Sequence, residues 1–287
     1  MKIIIPMSGT GQRFIEAGYK EPKPLIPVED KPIIEHVVGM FPGETDFIFI
    51  CNREHLEKTD LQAVLQRIAP SGQIVPISPH QHGPVYAVLQ AEHLISDDEP
   101  VVVSYCDFTV GWDYADFKKT VIKTRCDAAA TAYKGFHPHL LGSGLYASMR
   151  VDGDNWMLEC REKHSFTENK MDSFQQAGSF YFASGKILKD CFHEVEERDL
   201  RVNNEYYASV ATQVLVEKGR RVYVYPLKYF CQWGTPADLE EYKEWSAIVK
   251  KITAGETNES SLQLADENKR KTLAYWQEYF RTNRHYH

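Results

Sequence analysis

A chain of 287 residues that is 43% hydrophobic and 12% aromatic can bury a full core, either as one large α/β domain or as one domain with an appendage, so disorder is not the default. Its net charge of -7 lacks the surplus of Lys and Arg that a nucleic-acid binder needs, yet leaves room for a local basic cluster that takes a small anion. The six cysteines lie singly, with no C-x-x-C pair and no His at zinc spacing, and read as reduced, mostly buried thiols of a cytoplasmic protein.

Met1-Lys2 passes directly into Ile3-Ile4-Ile5, and the apolar run breaks at Pro6, too early for a signal peptide; no later stretch has the length or apolarity of a membrane span. Strand-length apolar runs follow at Ile3 to Met7, Phe47 to Cys51, Ile74 to Ser78 and Val101 to Cys106. Their unbroken apolarity predicts strands buried on both faces, hence a largely parallel sheet covered by helices. Between them, Lys31 to Phe41 reads as a helix with Pro32 in its opening turn, and Pro84 opens another.

After residue 128 the pattern changes to strand-like pieces at Ala128 to Tyr133, Leu145 to Val151, Trp156 to Glu162 and Phe180 to Ala183. Helical patterns at Lys186 to Glu197 and Glu205 to Lys218 precede a strand at Val222 to Leu227. These predict extra strands laid on the first half's sheet, supplying the wall of a cleft. The main unit is expected over 1–250. In 251–287, a linker over Lys251 to Leu262 leads to a helix over Glu267 to Arg281 whose apolar stripe docks on its own core or on a second copy of the chain, and Arg284-His285-Tyr286-His287 reads as a frayed end.

Gly9 and Gly11 follow the first buried strand, so their loop sits at a strand's carboxyl end, where open α/β sheets bind ligands. Glycines there let backbone N–H groups approach a phosphate. A dinucleotide site would need a third glycine where Phe14 stands and an acidic residue where the second strand ends in Cys51-Asn52-Arg53. A Walker lysine is absent too. Arg13 and Lys23, the latter stiffened between Pro22 and Pro24, can instead supply cations for a triphosphate whose pyrophosphate must leave. Asp107 ends an apolar strand, where a carboxylate is expensive unless it is paired, holds a metal or caps a following helix.

Gly9-Thr10-Gly11-Gln12-Arg13-Phe14, followed by Lys23-Pro24-Leu25 and Lys31-Pro32-Ile33, resembles the amino-terminal signature of the sugar-phosphate nucleotidyltransferases, the nucleoside-diphosphate-sugar pyrophosphorylases. Gly83-Pro84, Asp107, Glu162-Lys163, Ala177-Gly178 and Gly234-Thr235-Pro236 continue the match in order, over roughly residues 2 to 245. The resemblance implies a Rossmann-like α/β fold, a mixed and mostly parallel central sheet flanked by helices, with extra strands forming the acceptor side. It implies a nucleotide cradle at Met7, Ser8, Gly9, Thr10 and Gly11, nucleobase contacts at Gln81 and Gly83, Mg²⁺ on Asp107, and acceptor contacts at Glu162, Lys163 and Gly178. Two departures stand out: Gln232 where a second aspartate is usual, and Gln176 where an asparagine is frequent.

Each of these residues also has a plainer reading. Glu162 and Lys163 fit an exposed salt bridge, Asn203-Asn204 fits a helix N-cap, and Asp238 fits the first turn of the helix at Pro236. His80 and His82 lack a third ligand for a metal, and His137-Pro138-His139 reads as a surface turn. The expected activity is coupling of a nucleoside triphosphate to a sugar 1-phosphate with release of pyrophosphate, for surface polysaccharide or a related glycan. Alternatives are a CTP-dependent enzyme acting on a non-sugar phosphate, a glycosyltransferase of similar architecture and a non-catalytic nucleotide sensor. Thr109 fills the place of the second aspartate in a glycosyltransferase's Asp-x-Asp.

Overall fold

The computed structural model describes residues 1–259, 262 and 266–283; the expected fraying at 284–287 lies outside them, as does part of the expected linker. The first half runs β1 (Lys2–Met7), α1 (Gln12–Glu16), β2 (Pro27–Val28), β3 (Lys31–Pro32), α2 (Ile33–Gly39), β4 (Phe47–Asn52), α3 (Arg53–Lys58), α4 (Leu61–Ile68), β5 (Gln73–Ile77), α5 (Pro84–Leu89) and β6 (Val101–Ser104). It continues with β7 (Phe108–Gly111), α6 (Tyr114–Thr124), β8 (Ala128–Tyr133), β9 (Ser148–Val151), β10 (Met157–Arg161) and β11 (Phe174–Phe182). The last elements are α7 (Gly185–Glu197), α8 (Ala208–Glu217), β12 (Val222–Leu227), β13 (Tyr229–Gln232), α9 (Pro236–Thr253) and α10 (Glu267–Thr282).

The predicted mixed, mostly parallel sheet is present. β5, β4, β1 and β6 are parallel; β11 joins β6 antiparallel and is followed by β8 and β12, which again run parallel to each other. Alternation along β1 sends Ile3, Ile5 and Met7 into one core, with α2, α6, α9 and α10, and Ile4 into the other, with α5, α7 and α8. The sheet is thus covered on both faces, as its apolar strands require. The later strands extend this sheet edge to edge instead of lying upon it.

Several boundaries differ from the sequence reading. Lys31-Pro32 forms a small hairpin with Pro27-Val28, so Pro32 is the extended N-cap of α2 and not part of its first turn. The segment expected as a linker from Lys251 begins as the end of α9. Asp107 leads into strand β7, not into a helix, which removes the capping role for that residue. Asn203 and Asn204 adopt left-handed φ of 52° and 65° in a turn, and α8 opens later, with Tyr207 as its N-cap. Asp238 does serve α9: Thr235 Oγ1 accepts its backbone N–H at 3.2 Å and donates to its carboxylate at 2.7 Å.

α10 docks on the chain's own core. Tyr275 Oη donates to the Phe230 carbonyl at 3.1 Å and accepts its N–H at 3.2 Å, clamping β13 in its pairing with β7. Asn283 packs against Gly111 at the far end of that ribbon, where a Cβ would stand 2.6 Å from its Oδ1.

The same helix covers the expected surface turn. His137 is 1% exposed, its ring 5.2 Å from that of Tyr275, and His139 Nε2 bonds Tyr133 Oη at 2.8 Å. Burial pushes His137 down to about 4 and holds His139 well below its ordinary value. Both rings fold neutral, so the unfolded chain binds more protons than the native one below about pH 6.5. Stability is intact above that pH and is lost as pH falls towards 4, with His137 alone removing about 2 kcal/mol by pH 5. Urea midpoints at pH 7.5 and 5.0 should converge in His137→Phe relative to the native chain; an unchanged gap would acquit this ring.

Candidate active site

The order of the strands locates the cleft. Successive parallel strands run from β1 outwards to β4 and β5, and then the chain returns to place β6 on β1's other side. This reversal leaves an opening at the carboxyl ends of β1 and β6, between the loop after Met7 and the loop after Ser104. The opening is widened at β11, whose one edge pairs with β6 through Ser179 to Phe182 and with β9 through Phe174 and Gln175. Between these, the register shifts and Gly178 takes φ +96°. The result is a cleft of about 660 Å³.

One of its walls is the glycine loop. Met7, Ser8, Gly9, Thr10, Gly11 and Arg13 all line it, together with Gln81 and Gly83. Gly11 is the left-handed N-cap of the five-residue α1, at φ 69°. Gly9 differs, because no described residue other than its chain neighbours has an atom within 4 Å of where its Cβ would stand. The packing of the fold therefore does not demand glycine there. Phe14, which stands where a dinucleotide loop has glycine, is 2% exposed, packs edge-on against Tyr19 at 5.2 Å, and lies under the Lys23 ammonium at 5.6 Å.

Lys23 begins a 3-10 turn in which Pro24 is buried, so its Cα is fixed while its side chain reaches into the cleft. Its Nζ lies 2.6 Å from Asp107 Oδ2 and 3.5 Å from the Gly234 carbonyl. Asp107 is held by its main chain, which accepts the Trp233 N–H at 2.9 Å and so ties the loop after β6 to the end of β13. A Cβ on Gly234 would stand 2.6 Å from Gln232 Nε2 and 3.2 Å from Asp107 Oδ2. Glycine at 234 thus lets the carboxamide and the carboxylate converge beside Lys23. Burial pushes the Asp238 carboxyl up, the Thr235 hydroxyl partly offsets this, and the nearby Asp107 charge adds to it.

Among the described residues no three His, Cys, Asp or Glu side chains gather as a metal cage. One carboxylate beside a carboxamide is still a donor set suited to a hard divalent cation that brings phosphate and water oxygens with it.

The opposite wall holds the residues expected to meet the acceptor. Glu162 and Lys163 are an exposed pair only in part: the Lys163 side chain is 40% exposed, but the Glu162 side chain is 7% exposed, accepts a bond from Ser209 Oγ, and stands 3.7 Å from Lys163 Nζ. The Lys163 ammonium lies over the rings of Tyr146 and Tyr207, at 5.9 and 6.0 Å. Gly178 is required by the protein itself, since a Cβ would meet the Phe108 ring at 2.5 Å. Gly83 is likewise demanded by packing, since a Cβ there would stand 2.7 Å from the Tyr206 backbone. Gln176 Nε2 is buried at the cleft with no partner among the described residues, which leaves a donor for a ligand.

Tyr105, Tyr146 and Tyr207 also line this wall, and the sequence does not point to them, because isolated tyrosines carry no spacing signal. Arg13 lines the same cleft, and its positive charge slightly offsets the rise that burial chiefly imposes on Tyr146, Tyr207 and Asp238. A second hollow, of about 760 Å³ beside Glu29, α9 and α10, shares no lining residue with this cleft.

A UTP–glucose-1-phosphate uridylyltransferase, YngB of Bacillus subtilis (strain 168), is 32% identical over 124 residues, 36% of this chain and 41% of the relative. UTP–glucose-1-phosphate uridylyltransferase 2 of Staphylococcus saprophyticus is 30% identical over 145 residues, covering 42% of this chain and 49% of the relative. The chain thus spans less than half the length of either. A nucleoside-diphosphate-sugar pyrophosphorylase from Vibrio cholerae RC9 shares the fold, with a TM-score of 0.67 at 16% identity over 84% of this chain and 99% of that one. The profile of the MobA-like NTP transferase domain matches residues 3–165, more than half of the sequence and all of the glycine loop, Lys23, Asp107 and Glu162. The chain belongs to the MobA-like NTP transferase domain family.

Proposed function

We propose that this protein couples a nucleoside triphosphate to a sugar 1-phosphate and releases pyrophosphate, supplying an activated precursor for polysaccharide or glycan assembly. The observation that carries the reading is the convergence of Lys23, Asp107 and Gln232 at the foot of the glycine loop, facing Glu162 and Lys163 across one cleft. The open space at Gly9 admits a phosphate to the backbone, with Arg13 and Lys23 supplying charge to the departing pyrophosphate. Asp107, with Gln232 beside it, would hold Mg²⁺, which when bound neutralises triphosphate charge.

On the other wall, Lys163 would fix the acceptor phosphate for in-line attack at the α-phosphorus, with Glu162 and the Gln176 amide gripping the body of the acceptor. No side-chain nucleophile or base is needed, because a phosphate oxygen already carries the attacking charge. Alignment and charge stabilisation supply the rate. One observation favours a phosphorylated amine as a second reading: two tyrosine rings and a buried carboxylate already surround an ammonium, that of Lys163.

Thermal unfolding with Mg²⁺ and, separately, CTP, UTP, dTTP, GTP, ATP, nucleotide sugars and NAD(P) tests the first half of the reading. A triphosphate at about a hundred times its dissociation constant adds about 2.7 kcal/mol and a readily seen shift. A pyrophosphate-release screen of sugar 1-phosphates against phosphorylated amines then decides the acceptor. Stabilisation by NAD(P) alone, or by no triphosphate, would overturn the proposal.

A further inference from the structure

Ser8 is 2% exposed, and its Oγ lies 2.8 Å from His80 Nε2 across the cleft floor. The other ring nitrogen, His80 Nδ1, accepts the backbone N–H of His82 at 3.2 Å. A nitrogen that accepts a hydrogen bond carries no proton, so neutral His80 must hold its hydrogen on Nε2 and donate it to Ser8. Burial, with the neighbouring His82 adding to it, pushes the His80 imidazole down towards this neutral form.

The consequence falls on Ser8. Its oxygen receives the imidazole N–H, which leaves its own hydrogen to another acceptor, and no other hydrogen bond of this hydroxyl occurs among the described residues. Ser8 lines the cleft beside Gly9, and His80 beside Gln81. The imidazole cannot easily turn away. Its ring is 4.7 Å from Tyr86 and stacks on His82 at 6.0 Å, and the loop it sits on is pinned where the Tyr206 N–H donates to the His82 carbonyl at 2.8 Å.

We infer that His80 is a positioning residue that orients the Ser8 hydroxyl so that it donates to an oxygen of the bound nucleoside triphosphate. The inference rests on the triphosphate reading of the cleft. It adds a hydroxyl donor to a cradle otherwise built from backbone N–H groups and the Arg13 and Lys23 cations, together with the histidine that aims it. A purely structural role, tying the loop at His80 to the end of β1, would affect folding without changing nucleotide affinity.

The test is the dissociation constant of the stabilising triphosphate for native protein, Ser8→Ala, His80→Ala, His80→Gln and the Ser8→Ala/His80→Ala double variant, with the unliganded unfolding midpoint measured for each. Ser8→Ala should weaken binding about tenfold, as one hydrogen bond to a charged group is worth. His80→Ala should weaken it similarly, the double variant no further than the worse single one, and His80→Gln, whose amide can again donate to Ser8, should recover most of the loss.

Ser8→Ala removes only a hydroxyl and keeps the test usable if His80→Ala fails to fold. Unchanged affinity in Ser8→Ala, additive losses in the double variant, or His80→Gln no better than His80→Ala would each overturn the inference alone. A native protein that binds no triphosphate would overturn the proposed function, and this inference with it.

Discussion

Alanine in place of Asp107 should lower the rate of pyrophosphate release by about a hundredfold or more, comparable to the loss of one preorganised charge partner at a transition state. The geometry isolates the side chain unusually well. The backbone of Asp107 holds Trp233 through its carbonyl, a bond that alanine keeps, so the junction between β6 and β13 survives the substitution. What is lost is the carboxylate, which positions Lys23 in the free protein and would hold Mg²⁺ in the working one. The side chains of the pair are 19% and 25% exposed, and such a partly solvated ion pair is worth only about 0–1 kcal/mol to folding. The unfolding midpoint should therefore move little. Asp107→Asn should be nearly as slow as alanine, since it keeps the shape and removes the charge. A near-native rate in either variant would take Asp107 out of the reaction.

The parts of this site that can be read in the sequence are those written in contiguous residues. β1 and β6 are legible because burial on both faces leaves no polar position after Lys2 in the one or before Ser104 in the other, and the glycine loop is legible because it follows such a strand directly. Gly83 and Gly178 read as ligand contacts, and both do line the cleft. Yet each is glycine for a reason internal to the fold: one sits against the Tyr206 backbone, the other under the Phe108 ring.

The remainder depends on partners far away along the chain. Lys23 and Asp107 are 84 residues apart, and Gln232 reaches them only because β13 pairs with β7 in the register that sets Gln232 opposite Phe108. That ribbon is clamped by Tyr275 from the last helix, a segment whose own pattern announces no more than an apolar stripe. His137 and His139 look like surface residues for the same reason, since the ring that covers His137 belongs to α10. The Ser8–His80 bond joins two loops at the ends of different strands, and neither residue type signals the other.

Lys23 is where local and distant information meet, and its removal is the second large effect. Lys23→Ala should slow pyrophosphate release by about a hundredfold or more, because the ammonium is the cation best placed to follow charge as it moves onto the leaving group. The prolines on either side set its Cα, and the side chain alone must exchange Asp107 for phosphate oxygens when a triphosphate enters. Lys23→Arg should restore activity poorly. A guanidinium is broader and planar, and the space between the Phe14 ring and the Gly234 carbonyl is fitted to a compact ammonium.

If Lys23 and Asp107 act as one unit, the double alanine variant should be scarcely slower than either single one, since groups that work together are far from additive. Steady-state rates of the four proteins at saturating substrates provide that cycle. Independent, multiplying losses would show that the 2.6 Å contact of the free protein has no part in the reaction. A Lys23→Ala variant within about threefold of native would remove the lysine from catalysis altogether.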